Sequence, residues 1–525
     1  MSTLKEKLSR LLWGSQPGPA EHIVTRWAFI RALGIVYLIA FVSVWVQADG
    51  LFGDQGILPV QDFLDGVRQN NPSNYYQRCP TVFWFGCSNT AIHLVCAAGT
   101  VASVLMAAVV LPGLGAILAW ICYLSLVKVG QDFFGFQWDE LLLEAGFLAI
   151  FFAPARLFVT LSRDDKPSRI VLWLLRWLCF RLMFSSGLVK LTSGDPTWTW
   201  PNFTAMTYHY FTQPLPVWTA WYMHQLPVWF QKFTTIFVLA IELIVPFTIF
   251  APRRVRHLGA YILVGFQVLL ILTGNYCFFN LLAIVLCIPL FDDAAFPARF
   301  RNAVPPPPAA PPPARRSVLS HWRTALMALL ACAIVPLSIL ATLEDMGVLD
   351  RENMLAKWPK VQGAFMTASW DFNCVGGYGL FRWMTTKRPE IAIEGSNDGE
   401  NWLAYEFKYK PGDMSRRPAF VAPYQPRLDW QMWFAVLYPR RSFNWFLPFI
   451  KRLLDGSPAV LSLLEKNPFP DAPPKYIRAV LYEYTFTDRA NGDSAWWQRK
   501  QLGLYMKDIS LDDFYYGPKL DDEKQ

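Results

Sequence analysis

Charge is scarce in this chain, and histidine is missing from its C-terminal part. Only 17% of the residues are charged against 53% hydrophobic, whereas a water-soluble protein carries about a quarter charged residues. That deficit argues against a string of soluble domains, although 525 residues would allow several. All six histidines (His22, His93, His209, His224, His257 and His321) precede residue 322. The region beyond cannot by itself hold a Ser-His-Asp triad or a His-ligated zinc, which moves it from enzyme towards binding module. None of the nine cysteines has metal-ligand spacing, so no metal and no cofactor is expected. Tandem repeats and internal symmetry are also missing, and a transporter built of inverted repeats would need the latter. No small-residue cleavage site follows the first apolar run, which is therefore expected to stay as an anchor.

What is present is a series of long apolar runs. Runs of ~18 or more residues with few charges read as membrane spans. About nine are expected: Phe29–Val46, Ala91–Leu111, Leu114–Val127, Leu141–Phe152, Ile170–Leu191, Phe233–Phe250, Leu258–Leu272, Cys277–Leu290 and Ala325–Ala341, with the third, fourth and eighth short. Lys5, Lys7, Arg10 and Arg26 precede the first span. Arg156, Arg163, Lys166 and Arg169 lie between the fourth and fifth, Arg253, Arg254 and Arg256 follow the sixth, and Arg299, Arg301, Arg315, Arg316 and Arg323 precede the ninth. Alternate numbering puts every cluster on one side, which the positive-inside rule makes cytoplasmic. The net charge of +8 is then a topology effect and not a nucleic-acid signature. The N-terminus is expected in the cytoplasm and everything after about Leu343 outside it.

This gives a domain plan. Residues 1–28 are a cytoplasmic amphipathic N-terminus, in which Leu4, Leu8, Leu11 and Leu12 alternate with Lys5, Lys7 and Arg10. Residues 29–291 form an eight-span core, 292–321 a proline-rich cytoplasmic spacer, and 322–343 the ninth span. Residues 344–525 form an extracytoplasmic β-rich domain. There, Leu403, Tyr405, Phe407 and Tyr409 alternate with Ala404, Glu406, Lys408 and Lys410, the period of a strand with one buried face. Ile391 and Ile393 precede Asn397-Asp398-Gly399, a hairpin turn signal, and Tyr476–Phe486 and Lys500–Lys507 supply later strands. A helical insert interrupts them. Ser442–Leu454 carries Trp445, Phe446, Phe449, Ile450, Leu453 and Leu454 at helical spacing, and Ser457-Pro458 starts a second helix that Asn467-Pro468 stops. The greasy face of the insert either packs on a β-sandwich-like sheet or rests on the membrane or a client. The expected fold is a polytopic α-helical membrane protein with this β-sandwich-like domain outside.

Four strings in the outer domain carry a family resemblance: YEFKYKPGDMSRRPAFVAPYQPRLDWQMWF (Tyr405 to Phe434), YGLFRWMTTKRPEIAIEGSNDG (Tyr378 to Gly399), LLEKNPF (Leu463 to Phe469) and WWQRKQLGLYMKDISL (Trp496 to Leu511). In order and spacing they resemble the C-terminal core of the lipase maturation factor family, membrane chaperones that help secreted lipases reach their active, assembled form. The resemblance implies a secreted client, possibly a lipase, held at the bilayer by the outer domain. The wording MTTKRPEIAIEGSNDG resembles a bacterial member, which implies an inner membrane with a periplasmic domain; a eukaryotic member would sit in the endoplasmic reticulum.

Candidate contact residues follow from chemistry. Arg416 and Arg417 can grip a carboxylate or phosphate bidentately, or pair with Asp413 and Asp429 and lock their loop. Trp430, Trp433 and Phe434 are at helical spacing, as core or as recognition surface. Cys79 and Cys87 share an outer loop in an oxidising compartment and can bond. In the membrane core, Asp139, Glu140 and Glu144 sit at the outer end of the fourth run, Lys190 at that of the fifth, and Glu242 inside the sixth. Ionisable groups at this depth normally face partners. Glu144 is expected to pair with Lys190 or Arg181, with His209 joining from a loop. RLMFSSGLVKLTSGDPTW (Arg181 to Trp198) weakly resembles the membrane domain of vitamin-K-dependent carboxylase relatives. That likeness implies an alternative, an enzyme using Lys190 as base with Glu144 or His209 orienting it.

Overall fold

The computed structural model describes residues 21–161, 166–304, 318–349, 367, 369–488 and 495–516. The expected amphipathic N-terminal segment and the proline run at its core therefore lie outside the described residues. The first helices are α1 (Ile23–Trp45), α2 (Asn89–Ala108), α3 (Pro112–Val129), α4 (Gln137–Phe152) and α5 (Arg169–Thr192). A short α6 (Ala205–Thr212) precedes α7 (Val228–Leu243), which a tighter turn carries on to Phe250, and α8 (Arg253–Thr273), α9 (Phe279–Cys287) and α10 (Val318–Asp345) follow. Among the described residues seven helices are long and apolar enough to cross a membrane.

The runs at 141–152 and 277–290 are not among them. Helix α4 has 16 residues, and α9 has nine before a 3-10 turn carries it on to Leu290, both short of the ~20 residues that an upright helix needs to cross a hydrocarbon core of about 30 Å. Both are apolar because they sit inside the bundle, with Leu141, Leu142, Ala145, Leu282 and Leu286 fully buried. Close approach sets the packing of α1: a Cβ on Gly34 would meet the Ala107 backbone nitrogen at 2.7 Å, and one on Gly146 would meet the Tyr37 hydroxyl at 1.9 Å. Small residues at helix contacts are the usual device in membranes, where burying apolar surface offers no driving force between helices. At one end of the bundle Arg253 and His257 gather on Asp292, at 2.6 and 3.5 Å. The Asp293 carboxylate beside it caps α1 by accepting from Ile23 N at 2.8 Å and Thr25 N at 3.0 Å.

The C-terminal part is antiparallel β. Strands β1 (Arg388–Ser396), β2 (Leu403–Ala404), β5 (Tyr476–Phe486) and β6 (Trp497–Ile509) make one sheet in the order β2-β1-β5-β6, and β3 (Glu406–Phe407) pairs with β4 (Leu464–Lys466). The expected continuous strand over 402–410 is thus broken between two sheets. Leu403 turns outward at 51% exposure while Tyr405 and Phe407 stay buried. Lys410, expected on the polar face, is drawn inside to Glu390 at 3.0 Å. The second insert helix is also shorter than expected. Ser457 does cap it, accepting from Val460 N, but it ends at Leu461 and Leu464–Lys466 becomes strand β4.

Two helices lie between the strands, α11 (Arg427–Leu437) and α12 (Pro439–Leu454). All six apolar residues expected on one face of α12 are buried. They pack both ways: Phe446 meets Tyr505 of β6 at 5.3 Å between ring centroids, and Trp445 meets Phe133 of the membrane core at 5.9 Å.

Candidate functional site

The polar groups at the end of the membrane core that meets the C-terminal module find their partners in that module. Asp139 lies in the first turn of α4 and Arg427 in the first turn of α11. The two form a fully buried bidentate pair, with Nη1 to Oδ2 and Nη2 to Oδ1 both at 2.9 Å. Arg427 Nη1 also donates to Phe133 O at 2.6 Å, and its guanidinium lies 3.6 Å from the Phe134 ring centroid. Tyr123 donates its hydroxyl to the same Asp139 carboxylate. Burial works against the Arg427 charge, yet the adjoining Asp139 carboxylate holds its pKa above the usual value. Two buried charges survive at this depth because each is paired and further hydrogen-bonded.

Glu144, one turn deeper, makes the second such knot. It pairs with Arg181, not with Lys190. Its Oε2 accepts from the Tyr378 hydroxyl at 2.6 Å and from Gly376 N at 3.0 Å, while Arg181 Nη1 donates to Gly376 O at 3.0 Å. Asn275 adds a third link, donating to Ala419 O at 2.8 Å and accepting from Val421 N at 2.8 Å. In a fourth, Gln47 donates to Gln425 O at 2.7 Å and accepts from Arg427 N at 3.0 Å. YGLF and PYQPRLDW therefore supply the plugs, and QWDELLLE the socket.

Lys190 is occupied differently. Its ammonium donates to both oxygens of Glu242, at 2.9 and 2.7 Å, and to Ser186 O at 3.0 Å. All three of its protons are engaged, which is not the state of a poised base. His209 approaches the same region and shares a 2.7 Å hydrogen bond with the Tyr276 hydroxyl. Burial first and then the Lys190 charge lower His209 to about 4, so it is neutral at pH 7. Lys190, Glu242, His209 and Tyr276 line one internal cavity of about 70 Å³, and Glu144 is not in its wall. Among the described residues no cluster could hold a metal ion.

The candidates in the C-terminal module separate. Asp429 is buried and accepts from Tyr409 N and Lys410 N, each at 2.8 Å, so it shapes the bend after β3. Burial raises its pKa. Arg416 donates to Phe407 O at 2.8 Å, and Arg417 is exposed with its guanidinium 5.7 Å from the Trp218 ring. Asp413 accepts from Ser415 instead of pairing with either arginine. Trp430 is buried, and Trp433 donates to Thr212 O at 3.0 Å. Both tryptophans line a 560 Å³ cavity between core and module. Cys79 and Cys87 are both free thiols in the structure, Cys79 buried and Cys87 donating to Gln61 Oε1 at 2.6 Å. The sequence reading missed Tyr378, Asn275 and Gln47, because an isolated Tyr, Asn or Gln carries no pattern that announces a distant partner.

Fold and joint together define a multi-pass helical membrane protein whose antiparallel β module is plugged into its helix bundle through buried charge. Residues 24–298 match the family model described as the lipase maturation factor transmembrane domain, and residues 374–507 match that of the lipase maturation factor C-terminal domain. Lipase maturation factor 2 of Gallus gallus is 38% identical over 92% of this chain and 81% of its own length. Lipase maturation factor 2 of Homo sapiens is 34% identical over 93% and 83%, and lipase maturation factor 1 of Bos taurus 34% over 93% and 90%. No solved structure matches. The chain belongs to the lipase maturation factor family, membrane proteins involved in lipase maturation. Nothing in these likenesses supports an enzyme acting through Lys190.

Proposed function

We propose that this chain is a membrane-held maturation factor that binds a secreted client, a lipase, at the outer face of the bilayer while the client reaches its active form. The carrying observation is that the likeness to named lipase maturation factors runs through both the helix bundle and the β module, at 34–38% identity. The N-terminus faces the cytoplasm and the β module the opposite side, because the arginine clusters alternate as the positive-inside rule requires once the shorter α4 and α9 also pass between the two ends of the bundle. The domain plan of core, cytoplasmic spacer, last span and outer module goes with that topology. The membrane is a bacterial inner membrane, with the endoplasmic reticulum as its eukaryotic counterpart.

Client contact belongs to the loop of Arg416 and Arg417, while the buried Trp430 and the Trp433 that donates to Thr212 O belong to the joint with the core. Asp429 supports that loop from beneath. The exposed side chains Phe420, Met414 and Tyr438 add apolar area of the kind a partly folded chain needs. The test co-expresses a secreted lipase with the wild-type chain, with an Arg416→Glu/Arg417→Glu variant, or without either. The reading requires lipase activity per mass of secreted protein to fall without the chain and to fall again with the variant, at unchanged chain abundance. An unchanged specific activity in the deletion strain sinks it. A reporter fused after Gln525 must be extracytoplasmic.

A further inference from the structure

Two cavities meet at the joint. The outer one, 560 Å³, lies between Gly135–Trp138 of the core, residues 379–385 before β1, and the Trp430, Trp433 and Phe434 face of α11. Its volume is in the range of small-molecule sites. The inner one, 70 Å³, ends on Lys190, Glu242, His209 and Asn280. Tyr276, Phe279, Leu380 and Phe381 belong to both walls.

Phe381 stands at the partition in an unusual state. Its φ is +56°, a left-handed conformation that a bulky side chain seldom adopts. Its ring lies against His209 and Tyr276, with centroids 4.8 and 5.6 Å away, and Trp198 Nε1 donates to its carbonyl at 3.1 Å. Strain of this kind collects at ligand clamps and switches. Two buried polar atoms on the walls are unsatisfied. Asn280, 1% exposed, spends its Nδ2 on Gln267 Oε1 at 2.8 Å and leaves Oδ1 without a partner. The indole N–H of Trp138, 3% exposed, also has none. An orphaned buried polar group is costly, and a ligand that bonds it would recover that cost.

We propose that these chambers form one binding site for a single-chain lipid with an uncharged hydroxyl head, a monoacylglycerol or long-chain alcohol, the chain lying among the aromatics and the head passing Phe381 into the inner chamber. Charge selects the head. The Lys190–Glu242 pair is internally neutral and His209 is uncharged, so an anionic or cationic head would be buried without a counter-charge. A hydroxyl also supplies the donor that Asn280 Oδ1 lacks. The site is independent of any client, so its test needs none.

The experiment uses native membrane vesicles holding the full chain and a photoactivatable, alkyne-tagged monoacylglycerol, with labelled peptides mapped. The proposal expects label on residues 135–138, 379–385 or 430–438. Unlabelled monoacylglycerol should compete, and the corresponding fatty acid at pH 7.5 should compete about tenfold less well. Gly135→Phe fills the outer chamber, since a Cβ there meets only Asp132 O at 3.7 Å, and should cut labelling while thermal stability holds. Should that variant misfold, the wild-type map and its competition decide alone. Label confined to outward-facing positions such as Phe233 and Phe237 overturns the proposal. So does equal competition by the fatty acid, or a chamber that crosslinks to a client polypeptide and ignores added lipid.

Discussion

The C-terminal module treats its arginines in opposite ways on its two sides. Towards the bundle, Arg427 and Arg388 are essentially unexposed. Arg388 pairs with Glu390 at 2.7 Å and donates to Pro214 O at 2.8 Å. On the far edge, β6 carries Arg499, Lys500 and Lys507 exposed beside Leu502 and Leu504. Both sets are ordinary basic residues in a β-rich sequence. The difference lies in what faces them: the bundle offers Asp139 and a ring of loop carbonyls, while on the edge of the sheet Arg499 finds only the Tyr484 hydroxyl at 3.1 Å and the Tyr482 ring, and Lys500 and Lys507 are exposed. Cations on an edge strand discourage pairing with other chains, whereas cations in the joint bind two regions of one chain.

Breaking the joint should therefore have the largest effect. Arg427→Ala strands Asp139 in a fully buried site and should cost about 3–5 kcal/mol, read as a large drop in unfolding temperature in detergent and as new protease cleavage between core and module. The double variant Arg427→Met/Asp139→Leu should regain much of that loss, because two apolar groups leave no charge unpaired. If the single change is tolerated, the comparison between the two sides of the module fails. Tyr378→Phe removes one hydrogen bond to a charged group and should cost roughly 1.5–3 kcal/mol by the same assay.

A pH series sharpens the picture. The folded-state pKa of His209 is depressed to about 4, while an unfolded histidine titrates near about 6.5. The unfolded chain thus binds the proton first, so stability is full above that value and is lost as pH falls towards 4. The unfolding temperature should drop between pH 7.5 and 5, and His209→Gln should flatten that slope; a slope unchanged by the substitution would refute the assignment. On the far side, Lys500→Ala should change stability by less than about 0.5 kcal/mol. The smallest effect is expected at the hairpin turn. There Asp398 accepts from the Asn401 side chain and backbone and from Glu400 N, which holds its carboxylate below the usual range. That contribution is present above about pH 4 and fades as pH falls, so Asp398→Ala should alter only the acid limb of an unfolding curve.

Much of the architecture was legible beforehand. The long helices, strands β1, β5 and β6 and the apolar face of α12 follow from local periodicity, which each segment carries within itself. The apolar runs at 141–152 and 277–290 form helices shorter than the seven long ones, and hydropathy did not separate them because burial in protein and burial in lipid ask for the same side chains. The strand around Tyr405 misled because Asp429, some twenty residues on, bends its backbone and Glu390 draws in its lysine.

For this protein the linear order of residues by itself determined the family, the membrane-spanning character and most of the secondary structure. Hydropathy, periodicity and short motifs are properties of neighbours along the chain. Tertiary structure alone decided that Asp139 belongs to Arg427, that Glu144 belongs to Arg181 and Tyr378, and that Lys190 belongs to Glu242. A buried charge needs a partner but does not name it. The naming is done by packing, which brings together groups as far apart in the chain as Asp139 and Arg427.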